Sequence, residues 1–427
     1  MEKTKSVPGD YVEVHLTKLI YEGVLLESFE TGVVLLKLDS GYNIGFHSKD
    51  ILKIELIKKA KEESKDEIEI KKDNSKPNVA MIITGGTIAS RYDPKKGGVS
   101  PLTSPEDFLK FYPELFEKVN ISKIEIPFLK DAGEMDPEDW QKIAKVAEKL
   151  LNDSNIKGII VTHGTDSLHY TSAALSFFLR NLNKPVVLTY SQKSIDRASS
   201  DANLNLQCAA LVAISDIAEV TIVGHASEND DFCYVMPGTK VRKLHSSRRD
   251  AFKIVNDKPI AKVFPDRIEI LREFNKRNNK LKVKKEIDYD TKVALIKYHP
   301  GLDSGILDYH VKNKCKGVII EVLGLGQIAG KASKNNWIKK LKELDKKGVA
   351  VFAVAQTIFG RVDPLVYSTG RDIKNAGVVY LEDMLAETAL VKLGWILGHS
   401  EWNNKKKIVV EKMLENVAGE FNKRIEE

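Results

Sequence analysis

Short runs of alternating apolar and polar residues fill the first part of the chain. The pattern is clearest in YVEVHL, GVLLES and GVVLLKL, which are separated by turn formers such as Gly23, Gly32 and the triplet Asp39-Ser40-Gly41. Alternation with a period of two is typical of strands with one buried face, and several short strands at this spacing favour a small barrel. We therefore predict a small, SH3-like β-barrel over residues 1–57.

A highly charged segment follows over residues 58–76. Of its 19 residues 13 are charged, and its only apolar side chains are those of Ala60, Ile68 and Ile70. Such a segment buries too little apolar surface to order itself, so it is predicted to be a linker that is helical in part.

From Pro77 onward, apolar strand-like runs alternate with helix-like segments. The strand-like runs include NVAMIIT, IKGIIVTHG, KPVVLTY, KGVIIEVLG and VAVFAVAQT. Continuous apolar runs are typical of strands buried on both faces, so the pattern predicts parallel sheets flanked by helices. A pair of short strands near residues 258–274 interrupts the series. We predict an α/β chain with a larger domain over 77–285 and a smaller one over 286–427, which ends in a charged amphipathic tail.

Two loops at predicted strand ends are chemically unusual. Thr84-Gly85-Gly86-Thr87 follows the first apolar run, and Thr162 to Ser167, THGTDS, follows a later one, IKGIIV. Ligands of open parallel sheets bind outside the carboxyl ends of the strands, where both loops are expected. The first loop has neither the glycine spacing of a dinucleotide fingerprint nor the Lys-Ser/Thr pair of a P-loop. An ordinary turn and the mounting of a nucleophilic threonine are the remaining interpretations, and the pairing of the loops favours the second.

A threonine hydroxyl at such a turn needs a base to remove its proton before it attacks a carbonyl. Glycines let backbone N–H groups approach the oxygen that becomes negative during the attack. The chain should supply a carboxylate and a lysine for proton transfer. Asp166 is next to Thr165, and it could equally cap the helix predicted after it.

TGGTIAS and HGTDSLHYTSAAL together resemble the bacterial-type asparaginase and glutaminase family, which hydrolyses side-chain amides through threonine. The resemblance covers residue 79 to the C-terminus and implies a two-domain asparaginase-like fold with parallel sheets flanked by helices, here preceded by the small β-barrel. It implies that Thr87 is the nucleophile and that Thr165, Asp166 and Lys243 form a second threonine, acid and lysine set. Gly86, Gly164 and Asp166 would bind the substrate, with Asp166 holding its α-amino group. Without the motif, Lys243 would be interpreted as a solvated member of a basic run.

Three further parts of the chain are similar to one archaeal subfamily, the D-type subunits of the glutamyl-tRNA(Gln) amidotransferases. These parts are the N-terminal domain and the runs GTKVRKLHSSRRDAF and QTIFGRVDPLVYSTGRD. This resemblance implies hydrolysis of the glutamine amide through a threonine acyl-enzyme and transfer of ammonia to a second, E-type subunit. That partner would use ATP and Mg²⁺ to convert Glu-tRNA(Gln) into Gln-tRNA(Gln), while this chain would need no cofactor of its own. A homodimer is also implied, and tRNA(Gln) would be reached through the complex. The alternatives are a free-standing asparaginase or glutaminase and, less favoured, a non-catalytic tRNA-binding scaffold.

The chain departs from the family pattern at two places. In the family a tyrosine on the loop after the first motif helps to activate the nucleophile, whereas here Val99 stands at its place and Tyr92 has the wrong spacing. In DAGEMDPEDW, Ala132 and Gly133 stand where the family has a serine and a further polar residue for the substrate carboxylate. Backbone N–H groups are expected to replace that hydroxyl, and the choice between asparagine and glutamine stays open.

Composition and charge exclude few functions. The 427 residues carry 66 basic and 60 acidic side chains, a net charge of +6 that permits a polyanionic partner without implying one. Cys208, Cys233 and Cys315 are far apart in sequence and are expected to be small buried side chains in a reducing compartment. No apolar run approaches the roughly 20 residues that span a bilayer, and the N-terminus has no apolar signal core, so we expect a cytoplasmic protein without membrane contact.

The histidines indicate no metal site. His163 is interpreted as a hydrogen-bonding residue at a strand end, and His245 and His299 lack neighbours at metal-ligand spacing.

Overall fold

The computed structural model describes residues 6–28, 30–60, 73–93, 98–102, 104, 108 and 110–424. The side chains of residues 92, 93 and 98–100 are outside this description, and so is most of the predicted linker, residues 61–72.

The N-terminal strands form one antiparallel sheet with the order β4-β3-β2-β1-β5. The buried side chains Val12, Val14, Leu36 and Phe46 form its small core. A 3-10 turn, Ser48–Asp50, joins the last two strands. The strands are β1 (Tyr11–Leu16), β2 (Ile20–Leu26), β3 (Val33–Lys37), β4 (Asn43–His47) and β5 (Ile51–Lys58).

An eight-stranded sheet forms the centre of the larger domain, in the order β18-β17-β14-β13-β12-β10-β6-β9. The strands are β6 (Asn78–Ile83), β9 (Asn120–Glu125), β10 (Ile159–Thr162), β12 (Val186–Thr189), β13 (Val220–His225), β14 (Cys233–Pro237), β17 (Ala261–Val263) and β18 (Ile268–Ile270). The other strands of this region form two-stranded sheets: β7 (Ser90–Asp93) with β8 (Gly98–Pro101), β11 (Leu179–Arg180) with β19 (Lys284–Lys285), and β15 (Val241–Lys243) with β16 (Phe252–Ile254).

The central strands are buried on both faces, as their apolar sequences predict. In β6, Ala80 and Ile82 face one core cluster, while Met81 and Ile83 face the other. Helices cover both faces: α1 (Pro113–Lys118), α2 (Pro137–Leu151), α3 (Leu168–Phe178) and α4 (Ala202–Ile214). Asp139 accepts a hydrogen bond from the Asp136 backbone N–H at 3.1 Å, so α2 begins with a capping box.

The sheet is mixed and not wholly parallel, because β14, β17 and β18 run antiparallel to their neighbours. Only seven residues, 226–232, join β13 to β14. A parallel crossover needs about a dozen residues or more, so this connection forces the chain to reverse.

A second, parallel sheet forms the smaller domain, in the order β20-β21-β22-β23. Its strands are β20 (Val293–Lys297), β21 (Gly317–Val322), β22 (Ala350–Ala355) and β23 (Val378–Tyr380), and its helices are α5 (Ile306–Lys312), α6 (Ile338–Lys346), α7 (Ser368–Lys374), α8 (Ala386–Gly398) and α9 (Lys406–Leu414). Trp395 of α8 stacks on Phe177 of α3 with ring centroids 5.6 Å apart, so one apolar core joins the two domains. The two-domain α/β fold predicted from the sequence is thus confirmed.

All three cysteines are buried and free, as predicted. Across the described residues, no helix combines the length and apolar character needed to cross a bilayer.

Candidate active site

The two unusual loops lie side by side at one edge of the large sheet. β6 and β10 are parallel neighbours, and Ile83 is paired with Thr162. Beyond this pair, the Thr84 backbone N–H and the Thr84 hydroxyl both donate to the Thr162 carbonyl, at 3.2 and 2.9 Å. These bonds hold the start of the first loop directly against the second.

Glycine allows the two loops to touch. Gly86 has a φ of +82°, and a Cβ atom placed on it would lie 2.5 Å from the Gly164 nitrogen. A Cβ atom on Gly164 would in turn lie 2.8 Å from the Cβ atom of Ala132. Both distances are shorter than non-bonded carbon and nitrogen atoms tolerate, so no side chain fits at either glycine. The two loops and the segment at Ala132 meet at this point.

A lysine from a distant strand reaches the second loop. Lys243 Nζ lies 2.7 Å from Thr165 Oγ1 and 2.7 Å from Asp166 Oδ1. Thr165 Oγ1 is 3.5 Å from Asp166 Oδ1, so the three polar atoms form a closed triangle. The hydrogen bond from Lys243 holds the pKa of the Asp166 carboxyl below its ordinary value, against the opposing effect of partial burial. The side chain of Lys243 is 12% exposed, whereas that of Asp166 is 72% exposed and available to a ligand.

Thr87 lies at the start of a 3-10 turn, Thr87–Ala89, and is partly exposed. It immediately follows Gly86, whose backbone contacts Gly164, and Thr165 immediately follows Gly164. The Gly86 carbonyl accepts hydrogen bonds from the Ala89 N–H and the Ser90 hydroxyl, which fix this turn. The structure thus brings Thr87 and the triangle to the same edge of the sheet, and the roles assigned to these residues stay predictions.

The hairpin β7–β8 begins directly after this turn. Tyr92 and Val99, the two residues considered for the missing tyrosine, are backbone partners in it. Their side chains are outside the described part of the chain, so the prediction that neither replaces the family tyrosine is untested.

Ala132 and Gly133 lie in a 3-10 turn, Ala132–Glu134, beside the second loop. The Ser167 hydroxyl donates to the Ala132 carbonyl at 2.5 Å, a contact that the motif did not indicate although Ser167 ends the THGTDS loop. A Cβ atom on Gly133 would meet nothing within 4 Å. A cavity of about 530 Å³ opens here and is also lined by Asp166, Ser167, Tyr170 and Tyr289. The expectation that backbone N–H groups bind the substrate carboxylate at this turn stays a prediction.

His163 has the structural role expected for it. Its Nδ1 contacts the Gly164 carbonyl at 2.6 Å, and because a carbonyl only accepts, Nδ1 carries the proton. Its Nε2 therefore accepts from the Thr171 hydroxyl at 2.9 Å. Complete burial lowers the pKa of His163 to about 4. The ring is neutral near pH 7 and supports the backbone at Gly164.

His245 and His299, the other two histidines considered in the sequence, make local contacts with the backbone. His245 Nδ1 accepts from the backbone N–H groups of Ser247 and Arg248 at 3.0 Å. His299 Nδ1 contacts the Pro300 carbonyl at 3.0 Å.

Within the described ranges, metal-ligand atoms gather within 4.8 Å of one another at Glu13, His15 and Glu55 on the N-terminal sheet, where Glu55 also pairs with Lys53. No motif in the sequence indicated this group, because its members come from two strands that pair only in the fold. The prediction that the chain holds no metal stays a prediction.

Comparisons with known families divide the chain into three parts. Residues 78–276 match the family described as asparaginase, N-terminal, and residues 292–409 match the glutaminase/asparaginase C-terminal domain. Residues 7–57 match the GatD N-terminal domain.

Two solved asparaginases share the fold of the larger part of the chain. The thermostable L-asparaginase from Thermococcus kodakarensis is 30% identical with a TM-score of 0.71, over 81% of this chain and all of that chain. L-asparaginase I from Vibrio cholerae is 25% identical with a TM-score of 0.67, over 81% and 99%.

Two relatives named as the D subunit of glutamyl-tRNA(Gln) amidotransferase match almost the whole chain. The one from Thermococcus kodakarensis is 44% identical over 95% of this chain and 91% of the relative. The one from Pyrococcus furiosus is 43% identical over 97% and 94%. The chain therefore belongs to the GatD family of glutamyl-tRNA(Gln) amidotransferase subunits, whose catalytic fold is that of the asparaginases.

Proposed function

We propose that this chain is the glutaminase subunit of a tRNA-dependent amidotransferase. The proposal rests on its family and above all on one observation: Lys243 Nζ lies 2.7 Å from both Thr165 and Asp166, beside the loop that carries Thr87. Hydroxyl, ammonium and carboxylate groups at hydrogen-bond distance are what proton transfer to and from an amide requires. Their position next to two touching glycine loops supports covalent hydrolysis at this edge.

The proposed reaction is acyl transfer in two steps. Thr87 Oγ1 attacks the carbonyl carbon of the glutamine side-chain amide, and its proton passes to the departing nitrogen, which leaves as ammonia. Backbone N–H groups of the glycine loops stabilise the negative oxygen of the intermediate. Water then attacks the threonine ester, which releases glutamate and restores the hydroxyl. Lys243 and Thr165 form the proton pathway, and the exposed Asp166 carboxylate binds the α-ammonium group of the substrate.

The ammonia is proposed to pass to a second, E-type subunit. That partner would use ATP and Mg²⁺ to activate the glutamate of Glu-tRNA(Gln), so this chain would need no cofactor. A homodimer of this chain and contact with tRNA through the complex are parts of the same proposal.

Replacement of the nucleophile tests the chemistry. Thr87→Ala is expected to lower ammonia release from glutamine by more than about 1,000-fold, as removal of a covalent nucleophile does in other hydrolases. The thermal midpoint should stay close to that of wild type, since Thr87 is partly exposed. Thr369→Ala, at an exposed position of α7, is the matched control and should keep full activity. Near-normal ammonia release by Thr87→Ala would exclude Thr87 as the nucleophile.

A free-standing asparaginase is the second candidate, because a solved L-asparaginase matches 81% of the chain. The part matched to the GatD N-terminal domain, residues 7–57, argues against it. Ammonia release should be weak for the chain alone and rise when the partner and Glu-tRNA(Gln) are added. High asparaginase turnover that ignores both additions would instead support the free enzyme. A tRNA-binding scaffold without catalysis would show no amide hydrolysis in either condition.

A further inference from the structure

Strand β15 and the residue before it carry three cationic side chains that point in two directions. Lys240 precedes the strand, and Arg242 and Lys243 lie within it. Because side chains alternate along an extended chain, Lys240 and Arg242 share one face and Lys243 takes the other. Lys243 faces Thr165 and Asp166, whereas Lys240 and Arg242 face the C-terminal domain.

A short segment of the C-terminal domain, residues 383–388, contacts β15 and the residues just before it. Lys240 Nζ lies 2.7 Å from Asp383 Oδ2, and neither side chain is exposed. Arg242 Nε lies 3.0 Å from Glu387 Oε1. The hydroxyl of Thr388 donates to the carbonyl of the residue before Lys240 at 2.9 Å. Two ion pairs and one hydrogen bond thus attach the strand to the start of α8.

The sheet itself gives β15 little support. The strand has three residues and, in the part of the chain that is described, is bonded only to β16, which also has three. It is not a strand of the eight-stranded sheet from which the Thr87 and Thr165 loops extend. The position of Lys243 relative to those residues therefore depends on packing outside this small sheet: Val241 is buried in the main core, and the opposite face of β15 carries the ion pairs.

The surroundings of the Arg242–Glu387 pair favour a fixed geometry. Glu387 is 9% exposed, and its Oε2 is buried without a hydrogen-bond partner in the described residues. Burial raises the pKa of the neighbouring Glu321 and, with the Glu387 charge, raises the pKa of Tyr170 to about 12. Burial and the Arg242 charge lower the pKa of His169 to about 4. Arg242 thus pairs with Glu387 in a poorly hydrated layer between the domains, where the charges of Lys297 and Arg242 both act on Glu321.

We propose that Asp383 and Glu387 are positioning residues, which hold β15 so that Lys243 reaches Thr165 and Asp166. The smaller domain would in this way set the geometry of four proposed catalytic residues, Thr87, Thr165, Asp166 and Lys243, that all belong to the larger domain. The inference rests on the proposed function, because it assigns Lys243 a part in amide hydrolysis.

Glu387 is the better residue for a test. Removal of Asp383 would leave Lys240 buried and unpaired, which would mix a loss of folding with a loss of function. Arg242 is 29% exposed and can be hydrated when Glu387 is lost. We therefore choose Glu387→Ala, with Glu387→Gln as the conservative variant that keeps an acceptor for Arg242 Nε. Glu343→Ala on α6 is the matched control, since Glu343 also pairs with a cation but lies on a helix that packs against β22 and α7.

The assay measures ammonia release from glutamine and asparagine by the full chain, alone and with its co-purified partner. For Glu387→Ala we expect kcat to fall by about 10-fold to 100-fold, because a displacement of ~1 Å in a catalytic group can cost ~100-fold. KM should change by less than about 3-fold, since Lys243 is assigned to proton transfer and reaches the substrate's binding contacts only through Asp166. Glu387→Gln should recover most of the loss, and Glu343→Ala should match wild type.

A second readout needs no turnover. In protein grown with lysine labelled with ¹³C at Cε, the Lys243 Cε resonance can be assigned by its disappearance in Lys243→Arg. It should shift in Glu387→Ala and return toward its wild-type position in Glu387→Gln. An unmoved resonance together with wild-type kcat in Glu387→Ala would overturn the inference. If Glu387→Ala does not fold, the same two measurements are made on Glu387→Asp, which keeps the charge but is too short to reach Arg242 Nε from the same backbone position. A wild-type kcat and an unmoved resonance in that variant would overturn the inference.

Different results would refute the proposed function and the positioning role of Glu387. Absence of amide hydrolysis by the wild-type chain, alone and in its complex, refutes the proposed function. Normal wild-type hydrolysis with no effect of the Glu387 substitutions refutes only the positioning role.

Discussion

Buried His163 is predicted to make the fold sensitive to mild acid. In the folded chain its pKa is lowered to about 4, whereas in the unfolded chain it should be near 6.5. A folded pKa below the unfolded one means that the unfolded state binds the proton first, so stability is complete above pH ~6.5 and falls as the pH approaches 4. With these two values, the loss at pH 5 is about 2 kcal/mol for this one residue.

His163→Asn removes the titrating ring and keeps an N–H group that can donate to the Gly164 carbonyl. The variant should be less stable than wild type at pH 8, because the acceptor of the Thr171 hydroxyl is lost. The decrease in unfolding free energy between pH 8 and pH 5 should, however, be about 2 kcal/mol smaller than in wild type. Urea unfolding followed by circular dichroism and tryptophan fluorescence at both pH values measures this difference.

Thr171→Val is the matched control, since it removes the same hydrogen bond and keeps the ring. It should be destabilised at both pH values and retain the wild-type pH dependence. An equal pH dependence in His163→Asn and wild type would refute the reasoning and show that the buried ring does not titrate as its burial requires.

Two further substitutions test other parts of the structure. Gly86→Ala adds a Cβ atom 2.5 Å from the Gly164 nitrogen and should lower amide hydrolysis by about 100-fold. Gly41→Ala also places an alanine at positive φ, +90°, but with open space around it, and should leave ammonia release unchanged. Equal activity of the two glycine variants would contradict the proposed contact between the loops. Lys392→Met leaves Glu420 buried and unpaired, so the unfolding free energy should fall by about 3–5 kcal/mol in denaturant titrations. Adding Glu420→Gln should restore part of this lost unfolding free energy, since a neutral amide still accepts from the Val417 and Ala418 N–H groups. If the double variant recovers no stability, the loss does not come from the unpaired Glu420 carboxylate.

The position of Thr87 and Thr165 at one edge of the sheet could be predicted, because it depends on short stretches of sequence. A hydroxyl and glycine pair at the end of a buried strand is visible in a few consecutive residues, and the two parallel strands are neighbours. The helix start at Asp136 is predictable for the same reason. The role of Lys243 could not be predicted from a local pattern, because several of its neighbours are also basic. Only the resemblance to a family distinguished Lys243 from those neighbours.

Contacts between distant segments could not be predicted from the pattern. Arg242 and Glu387 are separated by 145 positions, and no feature of the sequence around either residue indicates that the two form an ion pair. The antiparallel strands β14, β17 and β18 were also missed as members of the large sheet, since short strands have the same pattern in either direction. The seven-residue connection before β14 carried that information.

The contact between Gly86 and Gly164 also limits how this site can change in evolution. When two side chains clash, shrinking one can compensate for enlarging the other, but here the contact is between main chains and neither partner has anything to shorten. Suppressors of a substitution at Gly86 should therefore not appear at Gly164. They should appear in β6 and β10, where a change in strand spacing can separate the two loops. We therefore expect Gly86 and Gly164 to be retained or lost together in related sequences.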